Sequence, residues 1–185
     1  MASPKRGCSS RRLHRRRRST SRVADDPLVS LAERLQATCI ASATTVALAE
    51  SCTGGLVAAA LTAIPGSSGY FLGGVVSYAD DAKRDLLDVD PAVLAAYGAV
   101  SAQVARAMAE GARARFRASV AASVTGIAGP DGGSAEKPVG LTYVGVADDE
   151  GADVRRFVWS GDRSANRLDS AVAAIELLLE RVSSR

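Results

Sequence analysis

Thr44-Thr45-Val46-Ala47-Leu48-Ala49-Glu50-Ser51-Cys52-Thr53-Gly54-Gly55-Leu56 is the stretch from which the fold can be read. Thr44 to Ala49 is an apolar, β-branched run, and Leu56 to Ile64 is an apolar run of helical length. A strand, a tight Gly-containing turn and a helix start are expected. The N–H groups at a helix start have no intrahelical partner and carry partial positive charge. Such a turn can bind an anion or stabilise an oxyanion. A serine placed there has two readings, a helix cap or a nucleophile. The pattern lacks the Gly-x-Ser-x-Gly of a nucleophile elbow, so the turn alone does not choose.

Working outward, Asp26-Pro27 reads as an N-cap and first helical residue. Leu28, Leu31, Leu35 and Cys39 then recur at helical spacing, predicting a helix over 27–40. Downstream, Pro65 to Gly69 is a loop and Tyr70 to Tyr78 a strand, with Gly73-Gly74 marking a bulge or a close backbone approach. Short helices are expected from Ala79 to Leu87 and from Pro91 to Gly98. A longer one begins after a Ser101 cap, with Val104, Met108, Ala112 and Phe116 on one face. Ser119 to Val124 is an apolar strand. Gly140 to Ala147 and Val154 to Ser160 form a hairpin through Asp148-Asp149-Glu150-Gly151. Ser164 to Val182 closes the chain as a helix with Leu168, Val172, Ile175 and Leu179 inward. Early alternation of strands and helices with a late hairpin predicts a three-layer α/β/α domain on a mixed sheet of about five strands.

The chain has 185 residues, enough for one domain and a tail. Hydrophobic residues make up 47% and aromatics 4%, which suggests Ala-rich helices packed closely on a Val-rich sheet. The net charge of +3 is misleading. Residues 1–24 hold nine Lys and Arg and no acid; taking these from 23 leaves 14 against 20 acids, a body near −6. Residues 1–24 are therefore expected to be a disordered Arg-rich tail, with the domain spanning 25–185. Nucleic acid is a partner only through that tail. A transit-like tail and a start site set too far upstream, with the true start near Val23, are both open. No apolar run reaches the roughly 18 residues of a membrane span.

Cys8, Cys39 and Cys52 form no Cys-x-x-Cys pair, and the only histidine is His14, in the tail. Such cysteine usage fits a reducing, cytoplasmic setting and no zinc site. A body without histidine holds no Ser-His-Asp triad and no Cys-His pair, so its general base must be Lys, Tyr, a carboxylate or water. Cys52 is then better read as a packed thiol than as the nucleophile.

Two further stretches bear on chemistry. Lys83, on an Asp-rich helix start, reads as a solvated charge or as a desolvated general base, with Tyr78 beside it as relay or wall. A Ser–Lys pair activates a hydroxyl without histidine. The Gly-rich loop from Gly126 to Gly140 is neither Gly-x-Gly-x-x-Gly nor a P-loop. Its free N–H groups and Lys137 suit a phosphate or carboxyl ligand. Asp162 caps the last helix, and Arg163 could reach an anion.

The motifs AESCTGG, GSSGYFLGGVVSYADDAK, SVTGIAGPDGGSAEKPVGLTYVGVA and SGDR, in that order, resemble the CinA C-terminal domain family, the nicotinamide-nucleotide amidohydrolases. The resemblance covers about residues 27–182. It implies a three-layer α/β/α domain, commonly oligomeric, here a dimer, acting on a small nucleotide without cofactor or metal. It implies hydrolysis of the carboxamide of nicotinamide mononucleotide to nicotinate mononucleotide and ammonia, a pyridine nucleotide salvage step. Ser51 corresponds to the nucleophile and Lys83 to its base, with Tyr78 adjacent. The backbone of Cys52, Thr53 and Gly54 is the expected oxyanion site. Thr125, Gly126, Gly129, Asp131, Lys137 and Arg163 fall on the ligand side. The basic tail departs from the pattern, as does the lack of the preceding domain of larger members, so a stand-alone form is expected. The alternative is a non-catalytic nucleotide-binding module.

Overall fold

The computed structural model describes residues 27–185. The expected tail, Cys8, His14 and the Asp26 cap lie outside the described residues. Helix α1 (Pro27–Ala41) leads into strand β1 (Val46–Glu50) and helix α2 (Leu56–Thr62). Strand β2 (Phe71–Val76) is followed by three helices, α3 (Asp80–Leu87), α4 (Pro91–Tyr97) and α5 (Ala102–Phe116). Strands β3 (Val120–Gly126), β4 (Leu141–Ala147) and β5 (Ala152–Val158) precede helix α6 (Arg163–Ser183). The five strands form one mixed sheet in the order β2-β1-β3-β4-β5. β1 runs parallel to β2 and β3, whereas β4 and β5 are antiparallel additions.

Alternation along β1 divides the core. Val46 and Leu48 face α1, α2 and α6, packing with Leu35, Leu61, Ile175 and Leu178. Ala47 and Ala49 face the other way, with Leu87, Val104, Met108 and Ala112 from α3 and α5. Small residues on that second face let α5 lie close to the sheet. A Cβ on Gly145 of β4 would stand 2.7 Å from the Ala105 carbonyl oxygen. The expected Ala-rich helical layer is thus real, and alanine occurs on the sheet side as well.

The expected irregularity in β2 is present. Pairing with β1 shifts between Val46 and Ala47, so that Phe71 and then Gly73 are opposite them. Gly73 has φ 143°, and a Cβ there would meet the Phe116 ring at 2.7 Å. The caps Asp90, Ser101 and Asp162 accept N–H bonds as the sequence predicts. β5 starts two residues earlier than expected, because the Asp148 carboxylate takes the Glu150 and Gly151 N–H groups and tightens the turn. Pairing then resumes at once between Ala147 and Ala152.

Register places the site. Glu50 is opposite Val76 on one side and Val124 on the other. Ser51, Ser77 and Thr125, the next residue of each chain segment, are brought to one end of the sheet. This is the carboxyl end of parallel strands, where open α/β sheets bind their ligands.

Candidate active site

The turn after β1 is held from below by Glu50. Its side chain is buried, and its carboxylate accepts from Gly55 N–H (3.0 Å), Val57 N–H (3.2 Å) and Ala58 N–H (2.9 Å). Charge-assisted bonds of this kind are about twice as strong as neutral ones, and an anion here complements the helix dipole. Gly54 and Gly55, at φ 60° and 94°, give the backbone the left-handed turn this requires. Two points that the sequence left open are decided. Ser51 caps nothing, because a carboxylate one residue earlier occupies the N-terminus of α2. For the same reason that N-terminus is not open to a ligand anion.

Ser51 is thereby freed. Its N–H continues the sheet by donating to Val124 O at 2.9 Å. Its hydroxyl has no hydrogen-bond partner among the described residues and lines a cavity of about 270 Å³. Of the three expected oxyanion donors, Gly54 is engaged, since its N–H donates to Ser51 O at 3.0 Å. The Cys52 and Thr53 N–H groups donate to no carbonyl and lie beside the Cys52 sulfur, which they pull toward ionisation. Burial outweighs them and pushes the Cys52 thiol up to about 11. A thiol so held is a poor nucleophile at neutral pH, as the sequence suggested.

Lys83 enters the same cavity from α3. The sequence left it either solvated or buried; its side chain is 1% exposed, and it shares the inner face of α3 with Leu87. Lys83 Nζ donates to Tyr78 O at 3.2 Å and to Asp80 Oδ1 at 3.4 Å. Tyr78, Asp80, Ala99 and Val100 complete that wall. The opposite wall is Thr125 to Gly129 with Asp131 and Gly132. Thr125 Oγ1 donates to Ala99 O at 2.8 Å, joining the two walls. Arg163 spans the mouth, donating to Gly129 O at 2.7 Å and to the Tyr78 hydroxyl at 3.1 Å.

Lys137 is not part of this cavity. Its ammonium donates to Tyr97 O at 2.6 Å, at the carboxyl end of α4, where a cation is favoured by the helix dipole. The sequence reading missed four residues: Glu50, Asp80, Asn166 and Arg167. Asn166 joins the Gly-rich loop to α6 through Ala128 O and Gly161 N–H. Arg167 donates to Cys52 O (3.1 Å) and Thr53 O (2.6 Å). Two signals were present: an acid ending an otherwise apolar strand, and an arginine one helical turn after Arg163.

Grooves of about 540 to 680 Å³ occur elsewhere, such as between α1 and α6, but hold none of these groups. Among the described residues no three His, Cys, Asp or Glu side chains are grouped to ligate a metal, and no helix is long and apolar enough to cross a membrane.

The arrangement can do acyl-transfer chemistry: a free Ser51 hydroxyl and a buried Lys83 amine line one cleft, and the Cys52 and Thr53 N–H groups of the adjoining turn are held only by the Cys52 sulfur. A sequence profile described as the CinA C-terminal domain matches residues 28–182, and the chain belongs to that family. It is 51% identical over 144 residues to a CinA-like protein of Geobacter sp. (strain M21), covering 78% of this chain and 35% of that one. Among solved structures, the competence/damage inducible protein CihA from Agrobacterium tumefaciens superposes with a TM-score of 0.81 at 44% identity, over 83% of this chain and 94% of that one. A competence-damaged protein (CinA) superfamily protein from Klebsiella pneumoniae gives 0.82 at 31%, over 85% and 99%. The chain spans about a third of the length of the curated relatives it matches.

Proposed function

We propose that this domain hydrolyses the carboxamide of nicotinamide mononucleotide, giving nicotinate mononucleotide and ammonia, through a Ser51–Lys83 dyad and an acyl-enzyme. The observation that carries the reading is the pairing, in one cavity, of an unpartnered Ser51 hydroxyl with a buried Lys83 amine. The free amine of Lys83 takes the hydroxyl proton as Ser51 Oγ bonds to the amide carbon. The developing oxyanion is held by the Cys52 and Thr53 N–H groups, and removing one such donor typically costs about 10²–10³ in rate. Lys83 returns the proton to nitrogen as the C–N bond breaks and ammonia leaves. A water, deprotonated by Lys83, then cleaves the acyl ester and regenerates Ser51. Arg163 at the mouth supplies positive charge for the nucleotide phosphate.

A second reading, a non-catalytic nucleotide-binding module, is favoured by one observation: Lys83 is hydrogen-bonded to Tyr78 O and Asp80, not to Ser51. Ammonia release from nicotinamide mononucleotide separates the two. Wild type is expected to turn over and Ser51→Ala to bind without turnover. Binding without turnover by the wild type itself would establish the second reading.

A further inference from the structure

Arg167 sits on α6, one turn beyond Arg163, and does a different job. Arg163 is exposed at the cavity mouth, whereas Arg167 is half-buried and lies over the turn between β1 and α2. Its guanidinium clasps two successive carbonyls, Cys52 O through Nε at 3.1 Å and Thr53 O through Nη2 at 2.6 Å. A Cβ on Gly54 would be in ordinary van der Waals contact with Nη2, at 3.5 Å.

In a planar trans peptide the C=O and the following N–H point in opposite directions. Fixing the Cys52 carbonyl toward α6 therefore turns the Thr53 N–H away from α6. That N–H acts on the Cys52 thiol, and Cys52 lines the cavity. A cation on the carbonyl end also polarises the peptide and strengthens its N–H as a donor. The planar fork of arginine suits two carbonyls at once, and a lysine ammonium cannot reproduce that geometry.

We propose that Arg167 is a positioning residue for the oxyanion site: it sets the direction and donor strength of the Thr53 N–H without touching substrate. The proposal rests on Ser51 acting as nucleophile, as in the preceding reading.

The test compares the full chain with Arg167→Ala and Arg167→Lys in two assays. One is kcat and KM for ammonia release from nicotinamide mononucleotide. The other is the rate and stoichiometry of labelling by diisopropyl fluorophosphate. There the Ser51 O–P bond forms, fluoride leaves with the bonding pair and the hydroxyl proton passes to Lys83. Arg167→Ala is expected to lower kcat about 10- to 100-fold, with KM changed by less than about threefold. Labelling should still reach one Ser51 per chain but more slowly, and Arg167→Lys should lie between. Full titration excludes a loss caused by misfolding. If Arg167→Ala fails to titrate fully, Arg167→Lys decides: full titre with wild-type kcat overturns the proposal, and full titre with reduced kcat upholds it. Equal kcat and labelling rates in wild type and Arg167→Ala also overturn it. Should the wild type release no ammonia but label at Ser51, with Arg167→Ala slower, the substrate reading falls and the Arg167 role stands. A wild type that neither releases ammonia nor labels at Ser51 overturns both.

Discussion

The Glu50 carboxylate accepts the Ala58 N–H at 2.9 Å across eight positions of sequence, tying the end of β1 to the first turn of α2. With Gly55 and Val57 sharing the other oxygen, one buried acid satisfies three helix-start donors. Glu50→Ala leaves all three without a partner, the Val57 N–H in a buried setting and the other two half-buried. We expect a loss of about 2–4 kcal/mol in stability, measurable as a fall in the urea midpoint, with a larger fall than for Glu50→Gln. Equal midpoints for wild type and Glu50→Ala would show that water replaces the carboxylate at no cost.

Lys83 is buried and shares the Ser51 cavity. Lys83→Met keeps the apolar stem and removes the amine. Ammonia release is expected to fall by at least about 10³-fold, the upper range for a general base, while nucleotide binding measured by calorimetry changes little. Near-normal turnover in Lys83→Met would remove the dyad.

Burial holds the Cys52 thiol at about 11. Iodoacetamide at pH 7.5 is expected to leave Cys52 unmodified on a timescale that alkylates free cysteine completely, as read by mass spectrometry of the peptide. Cys52→Ala retains the backbone N–H and is expected to lower kcat less than about threefold. An inactive Cys52→Ala would make the thiol the nucleophile.

Asp148 closes the β4–β5 turn and is gripped by Arg181 at 2.8 and 2.9 Å and by Arg185 at 3.1 Å. Burial alone pushes this carboxyl up. The Arg181 bonds, the Glu150 N–H and the Arg185 charge together outweigh it and hold it below 3.8. A carboxyl with a lower folded than unfolded value stabilises fully above the unfolded value and loses that contribution as pH falls through the folded one. Asp148 therefore contributes through neutral pH and is lost in strong acid, below about pH 4. Asp148→Asn is expected to lower the melting temperature by several degrees at pH 7, with the gap to wild type narrowing below pH 4. A gap that is constant from pH 7 to pH 3 would contradict the assignment.

Much of the site is legible in the sequence. Ser51, Tyr78, Thr125 and the Gly-rich loop each fall at or just past the end of a strand expected from the sequence, so an alternating α/β pattern already places them at strand ends. Lys83 is a candidate from the sequence, but its burial is not readable there, because Asp80, Asp81 and Arg84 around it describe a solvated surface. Lys137 shows the reverse. Beside a Gly-rich loop it looked like a ligand contact, yet forty residues earlier in the chain Tyr97 O offered its ammonium a closer partner. Arg167 could be recognised only once α6 was laid against the turn, since its acceptors lie more than a hundred positions away.

The sequence by itself determined the element order, the caps at Asp90, Ser101 and Asp162, the layer architecture and the lack of a body histidine. These rest on hydrophobic period and local hydrogen bonding, which are properties of neighbouring residues. The tertiary structure decided what the Ser51 turn is. Packing α2 against β1 buried Glu50 under the helix start and released the serine hydroxyl. Packing α6 across the same turn brought Arg167 onto its carbonyls. Both outcomes depend on which distant donor or acceptor reaches a buried polar group first, and only the folded chain decides that.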